Sequence, residues 1–262
     1  MLRSLWSGAS GMIAQQTHLD VVAHDLSNVN TSGFKKIRTD FQDLLYQINR
    51  EPGTPVEPDS MIPTGIQVGL GTKVIGTTRM FSQGSLQVTD NPTDVAITGD
   101  GFYRVMMPDG TIAYTRDSNW KIDSNGQVVT HDGYLIEPAI VVPQESIEFT
   151  VSQRGAVSVK VPGQVEAEEV GQIELARFVN PAGLKAVGRN LFVETAASGE
   201  PIVGNPGDDN FGMLEQYTLE MSNVQVVEEM VEMIVAQRAY EANSKTITTA
   251  DELLRIANNL RR

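Results

Sequence analysis

Cysteine is absent from this 262-residue sequence, and long apolar runs are absent as well. Without cysteine the chain has no disulfide framework, no thiolate zinc site and no cysteine nucleophile. No run approaches the 18 apolar residues that indicate a membrane-spanning helix. The first residues also lack the continuous apolar stretch of a secretory signal. We therefore expect a protein that does not span a membrane and that carries no cleaved signal peptide.

Positive charge is scarce relative to negative charge. The chain has 20 Lys and Arg against 33 Asp and Glu, so its formal net charge is −13. This balance argues against nucleic acid or an anionic membrane as the main partner. Most of the negative charge lies in the middle of the chain, and the two ends are nearly neutral. This distribution favours an acidic, solvent-exposed middle and ends that pack together.

Patterns that indicate an active site are missing too. The three histidines, His18, His24 and His131, do not have the spacing of metal ligands. The Gly-Leu-Gly run at 69–71 is not continued into a phosphate-binding loop, and no serine lies in a G-x-S-x-G frame. A hydrolase acting on glycan would use a pair of carboxylates, and no convergent pair is evident. We expect no catalytic residues, no cofactor and no metal.

The ends of the chain carry two long helical patterns. Leu5, Met12, Leu19 and Leu26 recur every seven residues, which predicts an amphipathic helix over about residues 3–28. A second helix is predicted from a Ser-x-x-Gln capping box at 222–225 to about residue 260. These helices have no obvious place to bury their apolar faces within one molecule. We predict that they pack as a coiled-coil-like core domain, with an ordinary helical core as the alternative.

The region between the helices divides into a connector and a β-rich part. Residues 50–71 contain four prolines and four glycines, which excludes a long helix and favours extended backbone. The connector is either a surface linker or an arm that docks on neighbouring subunits. Farther along, Asp-Gly or Asn-Gly dipeptides separate short β-rich runs and predict type I′ hairpins in an antiparallel domain. These dipeptides lie at 100–101, 109–110, 125–126 and 132–133.

The predicted fold class is therefore α+β. Long N- and C-terminal helices form the core domain, an extended Pro/Gly-rich connector follows the first helix, and the central domain is antiparallel all-β. The predicted segments are an N-terminal core helix (1–32), a connector arm (33–82), a central β-domain (83–215) and a C-terminal core helix (216–262) that packs with residues 1–32.

Both ends resemble one known family. Residues 23–35 read Ala-His-Asp-Leu-Ser-Asn-Val-Asn-Thr-Ser-Gly-Phe-Lys, which resembles the signature Ala-Asn-x-Leu-Ala-Asn-x-x-Thr-x-Gly-Phe-Lys of bacterial flagellar rod and hook proteins. Residues 219–224 and 236–245 are similar to the other end of the same family, and residues 99–103 to its central β-domain. His24, Ser27 and Gln225 are mild departures. Length and the connector make the chain most similar to members that build the distal part of the rod.

The resemblance implies a structural, non-enzymatic subunit. Such a subunit polymerises helically into the hollow distal rod of the flagellar basal body, transmits motor torque to the hook and forms part of the export channel. The implied partners are copies of the same chain, proximal rod proteins, the hook protein, ring bushing proteins and the flagellar export apparatus. The implied location is the rod where it crosses the periplasm, reached by export without a cleaved signal peptide. The longer connector is associated in this family with a straight, rigid rod.

The apolar helix positions and the family motifs together predict an assembly interface. A hook or proximal rod protein of the same family, or a soluble β binding module oligomerised by its helices, are the alternative functions. The predicted interface residues are Leu5, Ala9, Met12, Leu19, Ala23, Leu26, Asn28, Asn30, Gly33, Phe34, Val227, Met230, Ile234, Gln237, Arg238, Tyr240, Asn243, Ile247 and Leu254.

Overall fold

The chain forms two compact units, and each unit is built from segments that are separate in the sequence. The computed structural model describes residues 2–53, 55–57, 60–61, 63–162, 167–208 and 210–259. The first unit is formed by Met1–Ser27, Ile37–Thr78 and Gln225–Arg262. The second unit is formed by Asn28–Lys36 and Arg79–Val224.

The first unit contains a helix from each end of the chain, as predicted. Helix α1 spans Leu2–Ser27 and helix α2 spans Val226–Asn259. Helix α2 begins four residues after Ser222, so the predicted capping box is not its N-terminus. The Ser222 hydroxyl instead accepts a hydrogen bond from the Val224 backbone N–H at 3.2 Å. Neither helix, over its described residues, has a stretch apolar enough to cross a lipid bilayer.

The coiled-coil-like core domain predicted for these helices is wrong. A coiled coil interlocks large apolar side chains from every a and d position. In α1 the seven-residue series is only half-buried, at Leu5, Met12, Leu19 and Leu26. The buried described positions of this helix are instead Gly8, Ala14, Val22 and Asp25. The seven-residue period therefore marks the edge of the buried face rather than its centre.

The two helices meet through small residues. A Cβ atom added at Gly8 would lie 3.0 Å from Ile247 Cγ1, and one added at Gly11 would lie 2.8 Å from Asn243 Nδ2. Ala236 and Ala250 are the buried apolar positions described in α2. Glycines on α1 let α2 come close, so that Ile247 of α2 packs half-buried against Gly8, whereas Val227 and Ile234 stay exposed. This packing replaces the interlocked seam that the heptad spacing predicted.

The connector folds as a long hairpin, which the sequence did not predict. We call its six strands the hairpin ribbon. Backbone hydrogen bonds from Leu44 N–H to Gly71 O (2.9 Å) and from Leu70 N–H to Leu45 O (3.2 Å) bridge the gap between its inner and middle strand pairs. The pairs are β1 (Ile37–Asp43) with β6 (Thr72–Arg79), β2 (Tyr46–Arg50) with β5 (Ile66–Gly69), and β3 (Pro55–Glu57) with β4 (Ser60–Met61).

The second unit is β-rich with antiparallel strand pairs, as predicted. A 3₁₀ turn lies at Pro181–Gly183. Its strands are β7 (Leu86–Val88), β8 (Val95–Thr98), β9 (Phe102–Met106), β10 (Ile112–Thr115), β11 (Trp120–Ile122), β12 (Val128–Thr130), β13 (Leu135–Glu137), β14 (Glu148–Val151), β15 (Ala156–Lys160), β16 (Glu168–Gln172), β17 (Leu175–Arg177), β18 (Lys185–Gly188), β19 (Leu191–Val193), β20 (Ile202–Gly204), β21 (Met213–Gln216) and β22 (Thr218–Glu220).

The largest sheet of this unit has the order β11-β12-β13-β9-β10-β19-β18, and β17 pairs with both β9 and β20. Strands β14, β15 and β16 form a second sheet, β21 pairs with β8, and β22 pairs with β7. The main core lies around Tyr103 and Trp120, whose rings meet edge-on with centroids 4.7 Å apart. The Tyr103 hydroxyl donates a 2.7 Å hydrogen bond to Val95 O, which satisfies its polar atom inside the core.

Three of the four turn dipeptides join the strands of a hairpin, as predicted. They lie at 109–110, 125–126 and 132–133, and their glycines have φ of +81°, +79° and +82°. The residue before each glycine does not have positive φ, whereas a type I′ turn requires it at both central positions. The predicted turn type is therefore wrong at these sites. The dipeptide at 100–101 joins β8 to β9, which lie in different sheets.

Two of these turn glycines form a matched pair for a stability test. A Cβ at Gly126 would lie 2.1 Å from Val142 O, whereas a Cβ at Gly133 meets no atom within 4 Å. We expect Gly133→Ala to lose about 1–2 kcal/mol from left-handed strain alone. Gly126→Ala should lose roughly 1–3 kcal/mol more from overpacking against the backbone. Thermal unfolding followed by near-ultraviolet circular dichroism checks the ranking, and equal losses would contradict the packing described at Gly126.

Candidate assembly site

The family-like motifs from the two ends of the sequence meet inside the second unit. We call residues 28–36, 79–85 and 218–224 the terminal junction. The Gly33 N–H donates to Glu220 O at 2.8 Å, and the Lys36 N–H donates to Asn223 Oδ1 at 2.7 Å. The Asn223 amide nitrogen donates to the Ser82 carbonyl at 3.2 Å and to the Ser82 hydroxyl at 2.9 Å. Backbone groups of one motif are thus satisfied by groups of the other.

Three charged side chains lie buried at the terminal junction. We call Lys35, Arg116 and Glu220 the charge cluster; Lys35 and Glu220 are fully buried and Arg116 is 4% exposed. Lys35 Nζ lies 2.6 Å from Glu220 Oε1, and the Arg116 guanidinium lies 3.0 Å from Glu220 Oε2. The three segments that carry Lys35, Arg116 and Glu220 therefore depend on one another for charge neutralisation.

Backbone groups complete the charge cluster. Lys35 Nζ donates to Ser82 O at 2.7 Å, and Arg116 donates to Gly99 O and Gly101 O at 2.7 Å each. Glu220 Oε1 also accepts a hydrogen bond from the Gly84 N–H at 3.0 Å. Hydrogen bonds of this kind are what make buried charge tolerable in a low-dielectric interior.

The ionisation of the cluster reflects its burial. Burial lowers the pKa of Lys35 below its ordinary value, with a further lowering from Arg116 and an opposing effect of Glu220. Burial acts to raise the pKa of Glu220, but Arg116 and Lys35 outweigh it and hold that pKa below its ordinary value. Glu220 therefore remains a carboxylate in the closed unit, and it is the anion to which both cations are paired.

Gly33 is required by the local backbone. Its φ is +67°, and an added Cβ would lie 2.7 Å from Asp117 N and 2.8 Å from the Arg116 carbonyl carbon. The neighbouring Ser32 hydroxyl donates to Asp117 Oδ1 at 2.7 Å. Burial raises the pKa of Asp117, against the lowering effect of the Ser32 hydrogen bond. The Gly-Phe-Lys end of the motif thus fits tightly against the segment that follows β10 and carries Arg116.

The first unit carries a different feature, an apolar surface on α2. Five large side chains at positions i, i+3, i+4, i+7 and i+8 lie on one side of the helix and are exposed to solvent. We call them the helix apolar face: Val227, Met230, Val231, Ile234 and Val235. Trp6 and Ile13 of α1 are 73% and 67% exposed. Apolar patches of this kind on a soluble chain mark interaction surfaces.

The hairpin ribbon is also apolar and exposed. Leu45 is 83% exposed, and large side chains on both paired strands β2 and β5 are exposed as well: Tyr46, Ile48, Ile66 and Val68. A two-stranded ribbon is at best marginally stable in water without a covered face. The ribbon therefore offers a second surface that packing against another molecule would stabilise.

The predicted interface residues fall into three groups in the structure. Gly33 and Phe34 are buried inside the second unit, so they stabilise its fold. The half-buried group is Leu5, Ala9, Met12, Leu19, Leu26, Asn28, Asn243, Ile247 and Leu254. The exposed group is Ala23, Asn30, Val227, Met230, Ile234, Gln237, Arg238 and Tyr240. Whether copies of the chain touch at these positions stays a prediction.

Several residues were missed by the sequence reasoning. Trp6 and Ile13 lie off the seven-residue series, and exposed apolar positions cannot be told from buried ones without the partner helix. Lys35 and Glu220 stood within the quoted motifs, yet nothing in the sequence indicated that they pair across 185 positions. The described part of the chain contains no group of three or more His, Asp or Glu placed to hold a metal ion.

Three family models match the chain. The model described as "Flagella basal body rod protein" matches residues 5–35, and "Flagellar basal body rod FlgEFG protein C-terminal" matches residues 215–260. The model "Flagellar hook protein FlgE/F/G D1 domain" matches residues 96–159. The matches cover parts of both helices and of the β-rich unit, in the order expected from the motifs.

Curated relatives are similar over the full length. The flagellar basal-body rod protein FlgG of Borreliella burgdorferi is 57% identical over 264 residues, which cover 100% of both chains. FlgG of Caulobacter vibrioides is 47% identical, covering 99% of this chain and 100% of the relative. The flagellar hook-basal body complex protein FlhP of Bacillus subtilis is 31% identical, covering 100% of both.

Substitution at Gly33 tests whether this motif residue supports the fold. We expect Gly33→Ala to destabilise the second unit by roughly 2–5 kcal/mol, from left-handed strain plus a backbone clash. Asn30→Ala, at an exposed position of the same motif, should change stability by less than about 0.5 kcal/mol. Urea unfolding followed by Trp120 fluorescence in a Trp6→Phe background measures both. A Gly33→Ala protein as stable as the control would contradict the tight fit.

Proposed function

The chain belongs to the family of bacterial flagellar basal-body rod proteins, and from this premise we propose that its copies polymerise helically into the hollow distal part of the rod. The predicted family, the structural role and the location in the flagellar basal body are confirmed by relatives similar over the whole length. The family is one of structural proteins, not of enzymes.

The observation that carries the proposal is the exposure of the helix apolar face. Val227 is 75% exposed and Ile234 55% exposed, although both are large and apolar. Burial of such side chains contributes about 1.5–3 kcal/mol each, so covering this face provides a strong drive for association. Helical polymers need contacts between different surfaces of identical subunits. A long helix that is apolar on its outside can contact several neighbours at once.

Further roles follow from the family rather than from contacts within one chain. The polymer would transmit motor torque to the hook and form part of the export channel. Its neighbours would be proximal rod proteins, the hook protein and ring bushing proteins, and the export apparatus would deliver the subunits. Full-length similarity to rod proteins supports this proposal over a soluble binding module oligomerised by its helices.

Charge placed on the helix apolar face of α2, or at the exposed Ile13 of α1, tests the assembly surface. We expect Ile234→Asp and Ile13→Asp to abolish polymerisation, because each would bury a carboxylate without a partner. The second unit should stay folded, since both positions lie in the first unit. Val179→Asp is the matched control, because it replaces an exposed apolar residue of the second unit. Sedimentation and electron microscopy give the measurement; normal tubes from Ile234→Asp would remove this face from the interface.

The four outer strands of the hairpin ribbon, β2 to β5, can be removed to test the proposed role of the ribbon in stiffness. Because Leu70 N–H bonds to Leu45 O, residues 46–69 can be replaced by a two-residue Asn-Gly turn without disturbing β1 and β6. If the ribbon packs on neighbouring subunits, tubes of this variant should bend more. Electron micrographs then give a shorter persistence length. A persistence length equal to that of the unmodified protein would refute the stiffening role.

A further inference from the structure

The charge cluster holds more positive than negative charge. Lys35 and Arg116 are both cationic, and in the part of the chain that the structure describes Glu220 is the one carboxylate within ion-pair distance of either. The side chains are shielded from water. Remaining donors are satisfied by carbonyl oxygens, which carry only partial charge. Without the Glu220 carboxylate, the buried site would hold positive charge and no anion, and the folded unit would be strongly destabilised.

Glu220 also arrives last along the chain. The groups that bond to it come from four earlier residues: Lys35, Gly84, Arg116 and Ser118. It lies on β22, the final strand of the second unit, which pairs with β7. A chain made from its N-terminus therefore contains both cations before it contains their counter-charge. Closing the unit at that stage would bury two uncompensated cations side by side.

We propose that Glu220 gates the folding of the second unit, which closes only when strand β22 brings this carboxylate to Lys35 and Arg116. Removing one partner of a buried ion pair is strongly destabilising, and here the missing partner would strand two like charges. The N-terminal motif at 28–36 consequently docks late, together with the C-terminal motif at 218–224. This gate acts within one chain and does not depend on whether copies polymerise.

A plain structural role makes a different forecast. If Glu220 and Lys35 mattered only for their separate hydrogen bonds to backbone groups, the Gly84 N–H and Ser82 O, the losses would add and a double variant would be the weakest. If charge balance is the issue, removing Lys35 from a protein that already lacks the Glu220 charge should restore stability. The two explanations are therefore separated by whether adding the Lys35 substitution to the Glu220 variant raises or lowers its stability.

The equilibrium experiment uses the full chain with Trp6→Phe, so that the buried Trp120 is the single tryptophan. Glu220→Gln keeps the shape and removes the charge, and it should lower the thermal midpoint by roughly 10 °C. Lys35→Met should lower it less, because the Arg116–Glu220 pair remains. The double variant should melt above Glu220→Gln. A double variant that melts below both single variants overturns the proposal.

The kinetic arm tests the order of events. Lys35→Met lowers the cost of closing the unit before β22 docks, so it should refold faster than the parent even though it is less stable. Refolding after dilution from urea, followed by Trp120 fluorescence, gives the rates. Refolding of Lys35→Met at the same rate or more slowly would overturn the gate.

A second ion pair in the same unit supplies the control. Arg104 lies 2.9 Å from Glu174 and 3.1 Å from Glu137, whose side chains are 37% and 28% exposed, so solvent screens both pairs. Arg104 also keeps Glu137 as a partner when Glu174 is substituted. Glu174→Gln should change the midpoint by no more than about 3 °C, and adding Arg104→Met should not restore stability. A rescue in this control equal to that in the charge cluster would count against the proposal, because it would show a general effect of charge removal.

Discussion

The second unit depends on the neutralisation of buried charge at the terminal junction. Two cations from separate segments share one carboxylate, and the surrounding carbonyls and N–H groups complete the site. Residues 28–36 and 218–224 are also joined by two hydrogen bonds, from the Gly33 N–H to the Glu220 carbonyl and from the Lys36 N–H to the Asn223 side-chain oxygen. The motifs at opposite ends of the sequence are thus one structural feature in space. Part of what identifies the family serves the fold of the subunit rather than contact between subunits.

The first unit follows a different physical rule. Gly8 and Gly11 of α1 let α2 come close, whereas large apolar side chains of α2 such as Val227 and Ile234 stay exposed. A monomer therefore keeps a surface that water solvates poorly, and the free energy of covering it becomes available for assembly. The net negative charge of the chain opposes indiscriminate association. The residues at which the two helices contact each other are therefore different from the exposed apolar residues that we propose to mediate assembly.

The sequence predicted the element types well and the packing poorly. Periodicity located α1 and α2, and turn dipeptides located three hairpins, because both signals are local. The pairing of Lys35 with Glu220 and the folding of the connector on itself are non-local, and no pattern along the chain encodes them. The seven-residue series of Leu and Met was misleading for a similar reason. It shows where large apolar residues recur, but α2 comes closest to α1 at Gly8 and Gly11. At Arg189 and Asn190, consecutive positive φ angles form a hairpin turn without the usual Asn-Gly signal.

The hairpin ribbon gives the protein a part whose length can vary in evolution. Its outer strands begin beyond the Leu45–Leu70 hydrogen bond, so residues can be inserted or lost there while β1 and β6 keep their pairing. Side chains alternate between the two faces of a strand, and a change of one residue per strand would turn the apolar side chains over. Length changes that keep the apolar side chains on the same face therefore add or remove two residues per strand. Each such change alters the length of the ribbon by about 7 Å. Related subunits could diversify their reach in these discrete increments while their cores stay the same.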